Sequence, residues 1–166
     1  GAPAPRRLLD PAEALQPMLE SGQSFSTVEL RAAMTAAFGA SDAAGAWDWK
    51  TAYDACEAAQ ILLLRRYGHA LAARGRTPQS QLAIWERLAA RIPTQTRRSE
   101  EGQSFQQFST PLPLAFVAAC AASIHSGDCV LEPSAGTGML AIHAGLAGAK
   151  LALIPPKDEV AGKEAE

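Results

Sequence analysis

Apolar residues recur every three or four positions through most of residues 1–98, which is the spacing of helices that bury one face. Capping signals divide this region into separate helices. Helices are expected to begin at Asp10-Pro11 and Ser26-Thr27, to run from Trp47 to about Arg74, and to begin again at Thr77-Pro78. The pattern therefore predicts a helical domain over residues 1–98.

The pattern changes after Arg98. Residues 99–107 are polar and have no periodicity, which is typical of a linker. An apolar helix is predicted next, followed by a strand over Cys129–Glu132, a small-residue loop with its helix, and a second, parallel strand over Lys150–Ile154. We therefore expect a mostly α fold with a small α/β part. Its layout would be a helical bundle over residues 1–98, a linker over residues 99–107 and the start of a Rossmann-like domain, with about two parallel strands, over residues 108–166.

Composition narrows the class of protein. With 166 residues and 48% hydrophobic content, the chain can form one domain, or one domain and a fragment. No apolar run reaches membrane-spanning length and no leader segment is present, so no membrane association and a cytoplasmic location are expected. The chain has no initiating Met, which suggests a processed or excised chain. Its three cysteines, Cys56, Cys120 and Cys129, are expected to be buried free thiols, and no metal site is expected.

Charge is distributed unevenly, although the net charge is only −2. Eight arginines lie between Ile61 and Arg98, against the single acid Glu86. Guanidinium groups pair well with phosphates, so this surplus favours a surface for a nucleic-acid backbone. The candidate contacts are Arg65, Arg66, Arg74 and Arg76. The alternative is a solvated face whose charge is balanced by acids elsewhere in the chain.

The first predicted strand ends in a loop, Glu132-Pro133-Ser134-Ala135-Gly136-Thr137-Gly138, that opens a helix. Such a loop favours a nucleotide-like ligand, because glycines let the backbone approach the ligand and a helix start offers N–H groups. A phosphate-binding P-loop would need Lys and then Ser or Thr where Met139-Leu140 stand. A dinucleotide-binding turn remains possible, since Gly136, Gly138 and Ala141 fit its spacing.

The loop resembles the S-adenosylmethionine loop of class I methyltransferases, especially the adenine-modifying DNA methyltransferases. Gln107-Phe108-Ser109-Thr110-Pro111 resembles the segment that precedes the loop strand in that family. The resemblance implies that S-adenosylmethionine is the cofactor. It also implies that the glycines and the acid flank the methionine part of the cofactor. The implied site consists of Phe108, Thr110, Glu132, Pro133, Ser134, Ala135, Gly136 and Gly138.

A wider resemblance extends from about Leu15 to Leu153. Gly45-Ala46-Trp47-Asp48-Trp49-Lys50 and Thr96-Arg97-Arg98-Ser99-Glu100-Glu101 resemble the amino-terminal part of large bacterial, plasmid and phage proteins. Those proteins join a methyltransferase-like domain to a strawberry-notch-type helicase. The resemblance implies that this chain is a truncated front part of such a protein. DNA and a helicase domain of the same parent chain would then be its partners.

The chain departs from the family where chemistry is expected. The second strand runs into Ile154-Pro155-Pro156-Lys157, where the family has an acid for the ribose hydroxyls, and the first acids, Asp158 and Glu159, come late. The Asn- or Asp-Pro-Pro-aromatic segment that adenine methyltransferases use on a flipped base has no counterpart. No catalytic residue is therefore predicted, and the chain alone is expected to be inactive.

Three functions are compatible with the sequence. The chain can be a fragment of an adenine-N6 DNA methyltransferase-like protein that keeps part of the cofactor site. It can be a helical nucleic-acid-binding module that positions a helicase, with a relic of the methyltransferase motif. It can also be a dinucleotide-binding fragment of an oxidoreductase. In each case the two-strand sheet would expose an edge, and edges can pair between chains, so a homodimer through the sheet is a further expectation.

Overall fold

A computed structural model describes residues 4–94, 110–133 and 135–154, with the side chains of residues 4–7 excepted. Within these residues the chain is mostly helical, with six α-helices, a 3₁₀ turn and one parallel sheet of two strands. This confirms the predicted fold class. The elements in order are α1 (Ala4–Glu20), α2 (Thr27–Phe38), the 3₁₀ turn (Asp42–Ala44), α3 (Trp49–Ala72), α4 (Pro78–Ala89), α5 (Leu112–Ala121), β1 (Cys129–Glu132), α6 (Met139–Leu146) and β2 (Lys150–Leu153).

The chain forms two compact units. The first unit comprises residues 1–67 and 86–108, and the second comprises residues 68–85 and 109–166. The predicted linker over residues 99–107 lies outside the described residues. The predicted limits of the domains therefore stay predictions.

The first unit has a closed apolar interior. Leu15 and Leu19 of α1, Leu30 and Met34 of α2, and Leu64 of α3 are almost completely buried. Burial of such side chains stabilises a fold by about 1.5–3 kcal/mol each. Helix α2 begins with a complete capping box, in which Ser26 and Glu29 satisfy each other's backbone N–H groups. Gly39 ends that helix in the left-handed conformation, as glycine readily can.

Helix α1 differs from its prediction at the start. Its described part already begins at Ala4, so Asp10 lies inside the helix and not at an N-cap. Pro11 and Pro17 are both within the helix. The stripe of Ala12, Leu15 and Leu19 is buried and keeps its helical phase past Pro17. Packing of this stripe therefore outweighs the hydrogen bonds that the prolines remove.

The second unit contains the sheet. Strands β1 and β2 are parallel, with Cys129 opposite Lys150 and Glu132 opposite Leu153. Helix α6 connects the strands and packs against both, and α5 packs against α6. A side chain added at Gly145 of α6 would meet the Leu151 side chain at 3.6 Å, so Leu151 points to the face that α6 covers.

The other face of the sheet is bare. Alternation along the strands places Cys129, Leu131, Ala152 and Ile154 on it, and all four are exposed. Leu131 is 61% exposed. Parallel strands with such continuous apolar sequences are usually covered on both faces. This sheet is covered on one.

An aromatic cluster fills the interior of the second unit. The rings of Trp85, Phe116 and His143 lie with centroids 5.6–6.2 Å apart. The His143 Nε2–H donates to the Leu112 carbonyl oxygen at 3.3 Å, which links α6 to the start of α5. Burial lowers the pKa of His143 to about 4, so the ring is neutral at pH 7.

His143 is buried, with only 5% of its surface exposed. One expectation about individual side chains is wrong. The cysteines were expected to be buried, but only Cys56 is, whereas Cys120 and Cys129 are exposed. Burial raises the pKa of the Cys56 thiol to about 12. Both exposed cysteines belong to the second unit, where several leucines are exposed as well.

Candidate functional site

The glycine loop follows β1 and is tied to the end of β2. The Ile154 N–H donates to the Glu132 carbonyl oxygen at 3.0 Å, and the Ala135 N–H donates to the Ile154 carbonyl oxygen at 3.4 Å. The Gly138 N–H then donates to the Ala135 carbonyl oxygen at 2.7 Å, which closes a tight turn before α6. These bonds fix the loop at the carboxyl ends of the two strands. In open α/β sheets this edge is where ligands bind.

Two glycines in the loop have backbone conformations that side chains disfavour. Gly136 has a φ of +51° and Gly138 a φ of +90°. Apart from the chain neighbours, no atom of the described residues lies within 4 Å of the position that a Cβ would occupy at either glycine. The described part of the chain therefore leaves space beside the loop, and a ligand could approach the backbone there. Gly138 is the N-cap of α6, and as a glycine it has no side chain to cap that helix.

Glu132 is the one buried acid among the described residues, with 9% of its surface exposed. It ends β1, and its carboxylate accepts a hydrogen bond from the Ala141 N–H in the first turn of α6. Its second oxygen, Oε2, is buried and has no hydrogen-bond partner in the described part of the chain. Burial raises the pKa of this carboxyl, and the Ala141 bond opposes that shift.

An unpartnered buried carboxylate oxygen is costly, on the order of 1–3 kcal/mol. Most buried polar atoms in proteins have a partner, and an exception calls for a missing ion, water or ligand. Glu132 is the last residue of β1, directly before the glycine loop. The structure thus provides a buried acceptor without a donor among the described residues, at the start of that loop.

The remaining loop residues add no charge to the site. Pro133 and Gly136 are exposed, whereas Ala135 and Gly138 are half-buried. Ser134 lies outside the described residues. The loop therefore presents backbone groups and small side chains to a ligand.

The second predicted motif leads into α5. Thr110 is half-buried, and Pro111 is the N-cap of α5. Phe108 lies outside the described residues, so its predicted contact with a cofactor stays a prediction. Because α5 packs on α6, the helices that follow the two motifs are neighbours in the second unit.

The four candidate arginines differ in their surroundings. Arg66 donates to the Glu20 carboxylate at 3.3 Å and its guanidinium lies 5.1 Å from the centroid of the Tyr67 ring. Arg65, Arg74 and Arg76 are exposed. No ion pair to these three occurs in the described part of the chain. The balancing acid expected for a solvated face is therefore present for Arg66 only.

No pattern in the sequence indicated the buried polar groups around the aromatic cluster. Trp85 is 1% exposed, and its Nε1–H has no hydrogen-bond partner among the described residues. Helix α6 is apolar on all sides, so its hydrophobic periodicity does not show which face is buried or that His143 lies on it. Both unpartnered buried side-chain atoms of the described chain, in Trp85 and Glu132, belong to the second unit.

No group of three or more His, Cys, Asp or Glu side chains that could hold a metal ion occurs in the described ranges. None of the described helices is both long enough and apolar enough to cross a membrane. Comparisons with models of protein families, with curated proteins and with solved structures found no match for this chain.

Proposed function

We propose that the glycine loop and Glu132 form part of an S-adenosylmethionine site. In this proposal the chain is a portion of an adenine-N6 DNA methyltransferase-like protein that is linked to a helicase, and it does not catalyse methyl transfer alone. The observation that carries the ligand assignment is the unpartnered Oε2 of Glu132 beside an open loop. The identity of the substrate and the linkage to a helicase rest on the sequence resemblance.

The chemistry of the acceptor favours this ligand over a dinucleotide. S-Adenosylmethionine carries an ammonium and a sulfonium, and an ammonium can donate to a buried carboxylate oxygen. A dinucleotide would bring a pyrophosphate to the same loop. That group has no proton to donate at neutral pH, and it would place negative charge beside Glu132 in a poorly solvated site.

The start of α6 suits the carboxylate of the methionine part of the cofactor. The loop leads into the N-terminus of α6, which is the positive end of the helix dipole, and of the first-turn N–H groups that of Ala141 is bonded to Glu132. A carboxylate is stabilised at such a position by typically 0.3–1 kcal/mol. A zwitterionic amino-acid group thus finds an acceptor in Glu132 and a favourable helix terminus within one short segment.

Catalysis is not expected from this chain. Strand β2 is followed by Ile154, and no described acid stands at its end to accept ribose hydroxyls. The late acids Asp158 and Glu159 lie outside the described residues, as do Pro155 and Pro156. The expected outcome is weak cofactor binding without turnover.

Isothermal titration calorimetry tests the ligand class. We expect heat on titration with S-adenosylmethionine and S-adenosylhomocysteine and none with NAD. Glu132→Gln keeps the size of the side chain but replaces one carboxylate oxygen by a donor. This substitution should lower the affinity for S-adenosylmethionine at least about tenfold, as expected for a lost charge-assisted hydrogen bond. Asp128→Asn changes a half-buried acid just before the same strand and is the matched control.

A second pair of variants tests the open space beside the loop. Gly136→Ala adds a methyl group where no atom of another described residue lies within 4 Å, apart from the two chain neighbours, and so it should reduce ligand binding by intrusion. Gly127→Ala also places alanine at a positive φ with no such contact, but outside the loop. It therefore controls for backbone strain. Heat with NAD alone, or equal affinity in the Glu132→Gln protein, would contradict the assignment.

A nucleic-acid-binding module is the second candidate. It is favoured by Arg65, Arg74 and Arg76, which are exposed and have no ion-pair partner in the described chain. Guanidinium groups of this kind can pair with phosphates. This function is compatible with the first, because it uses different residues.

A further inference from the structure

Among the described residues no strand pairs with the outer edge of β2, which offers its backbone hydrogen-bonding groups to another strand. The Lys150 N–H donates to the Asp128 carbonyl oxygen and the Ile154 N–H to that of Glu132, so even-numbered residues of β2 face β1. Backbone groups alternate in direction along a strand. The N–H and C=O groups of Leu151 and Leu153 therefore point away from β1, and both leucine side chains are exposed, by 41% and 47%.

We propose that β2 pairs antiparallel with β2 of a second copy of this chain, about a two-fold axis at Ala152. In this register Leu151 lies opposite Leu153 of the second copy, and the pair exchanges hydrogen bonds in both directions. These are the residues whose backbone groups point outward. Ala152 lies opposite itself as a non-hydrogen-bonded pair, where the small side chain allows the close approach that such pairs require.

The same register is self-complementary in its side chains. Leu151 and Leu153 of both copies share one face of the joined sheet, which brings four exposed leucines together. Lys150 lies opposite Ile154 of the second copy, so no like charges oppose each other. A two-fold interface of this kind uses the same surface on both chains and closes on itself.

The outer edge of β1 is the competing surface, and charge disfavours it. Its outward residues are Cys129 and Leu131, so the equivalent antiparallel pairing would centre on Val130. That register places Asp128 opposite Glu132 of the second copy, and the two-fold axis repeats the pair. Like charges directly opposite each other destabilise a sheet. The proposal therefore commits to β2.

The expected dimer is weak. β2 has four residues, so the contact should bury less than the total of about 1,200 Å² that is typical of stable interfaces. We expect reversible association that grows with protein concentration. This inference does not depend on the ligand proposed above.

Proline scanning of the two edges tests the proposal by sedimentation equilibrium of the full chain over a wide concentration range. Leu153→Pro removes an outward N–H from β2 but leaves the bonds to β1 in place, and proline is tolerated on edge strands. Each copy loses one donor, so the dissociation constant should rise about ten- to hundredfold. Leu131→Pro makes the same change on the edge of β1 and should leave association unchanged.

Cysteine cross-linking gives a second readout that does not require a change in stability. In a Cys120→Ser, Cys129→Ser background, Ala152→Cys should form a disulfide-linked dimer on mild oxidation, because opposed residues of a non-hydrogen-bonded pair have Cα atoms about 4.5 Å apart. Val130→Cys, at the centre of the competing β1 register, should remain monomeric. A monomer at all concentrations, cross-linking through position 130 alone, or an effect of Leu131→Pro without one of Leu153→Pro would overturn the proposal.

Discussion

Gln60 and Glu132 are both buried polar residues, one in each unit, and they differ in whether their side chains find hydrogen-bond partners. The Gln60 Nε2–H donates to the Leu88 carbonyl oxygen at 3.2 Å in the first unit. Glu132 in the second unit keeps an oxygen without a partner among the described residues. The same contrast holds for apolar groups, since most exposed large apolar side chains of the described chain belong to the second unit.

This difference separates a structural region from a binding region. A unit that satisfies its buried polar groups and covers most of its large apolar side chains has little reason to bind anything in order to be stable. The second unit has an acceptor without a partner and a strand edge without a neighbour among the described residues, and a ligand or another chain can satisfy these groups. The proposed cofactor site and the proposed dimer contact therefore both lie in the second unit.

Truncating one leucine in each unit should produce the largest contrast. Leu30→Ala in the first unit removes a completely buried side chain and should lower the free energy of unfolding by about 2–5 kcal/mol. Leu131→Ala in the second unit removes a 61% exposed side chain and should change it by less than about 0.5 kcal/mol. Urea denaturation measures both. A large loss for Leu131→Ala would mean that the bare face of the sheet is covered in solution.

Lowering the pH should destabilise the second unit through protonation of His143. Its pKa is about 4 in the folded protein and 6.5 in a model peptide, so the unfolded chain binds its proton first as pH falls. Stability from this residue is complete above pH 6.5 and is lost towards pH 4, by on the order of 3 kcal/mol.

His143→Gln, which can still donate to Leu112, should remove this part of the pH dependence. The raised pKa of Glu132 acts in the opposite direction, because protonation then favours the folded state. The two proteins are therefore compared at each pH by urea denaturation. Parallel curves for wild type and His143→Gln between pH 6.5 and 4 would show that His143 does not carry the effect.

Helix starts offer a smaller contrast. Ser26→Ala removes the cap of α2 and should cost about 1 kcal/mol of stability. Glu132→Gln at the start of α6 removes an incompletely satisfied buried acid, so the free energy of unfolding should stay the same or rise. Thermal unfolding near neutral pH compares the two. If Glu132→Gln were the more destabilising change, Glu132 would be a structural cap and not a ligand group.

The arginines should show the smallest effects on stability and a graded effect on oligonucleotide binding. Affinity should fall steeply with salt and weaken when Arg65, Arg74 or Arg76 is replaced by Glu. Arg66→Glu should weaken it less, because Arg66 already pairs with Glu20. Fluorescence anisotropy at several salt concentrations measures these changes, and binding that is independent of salt would return all four arginines to an ordinary solvated surface.

The sequence alone determined most of the helices and strands and the position of the glycine loop. Period-two and period-3.6 patterns together with Gly, Pro and Ser signals located α2, α3, α4, β1 and β2 within a few residues, because these signals are local. The same local signals placed Glu132 at a strand end and Gly136 and Gly138 in the loop. Local signals failed for the start of α1, where tertiary packing outweighs the prolines.

Only the tertiary structure decided which groups are satisfied. α5 and α6 are apolar on every side, so no pattern could show that His143 is buried or that Leu114 is exposed. The register of β1 and β2 determined which leucines point outward, and the packing of α6 determined that Glu132 keeps one oxygen unpaired. Burial and pairing depend on contacts between distant residues, and they are the features on which the proposed ligand site and the proposed dimer rest.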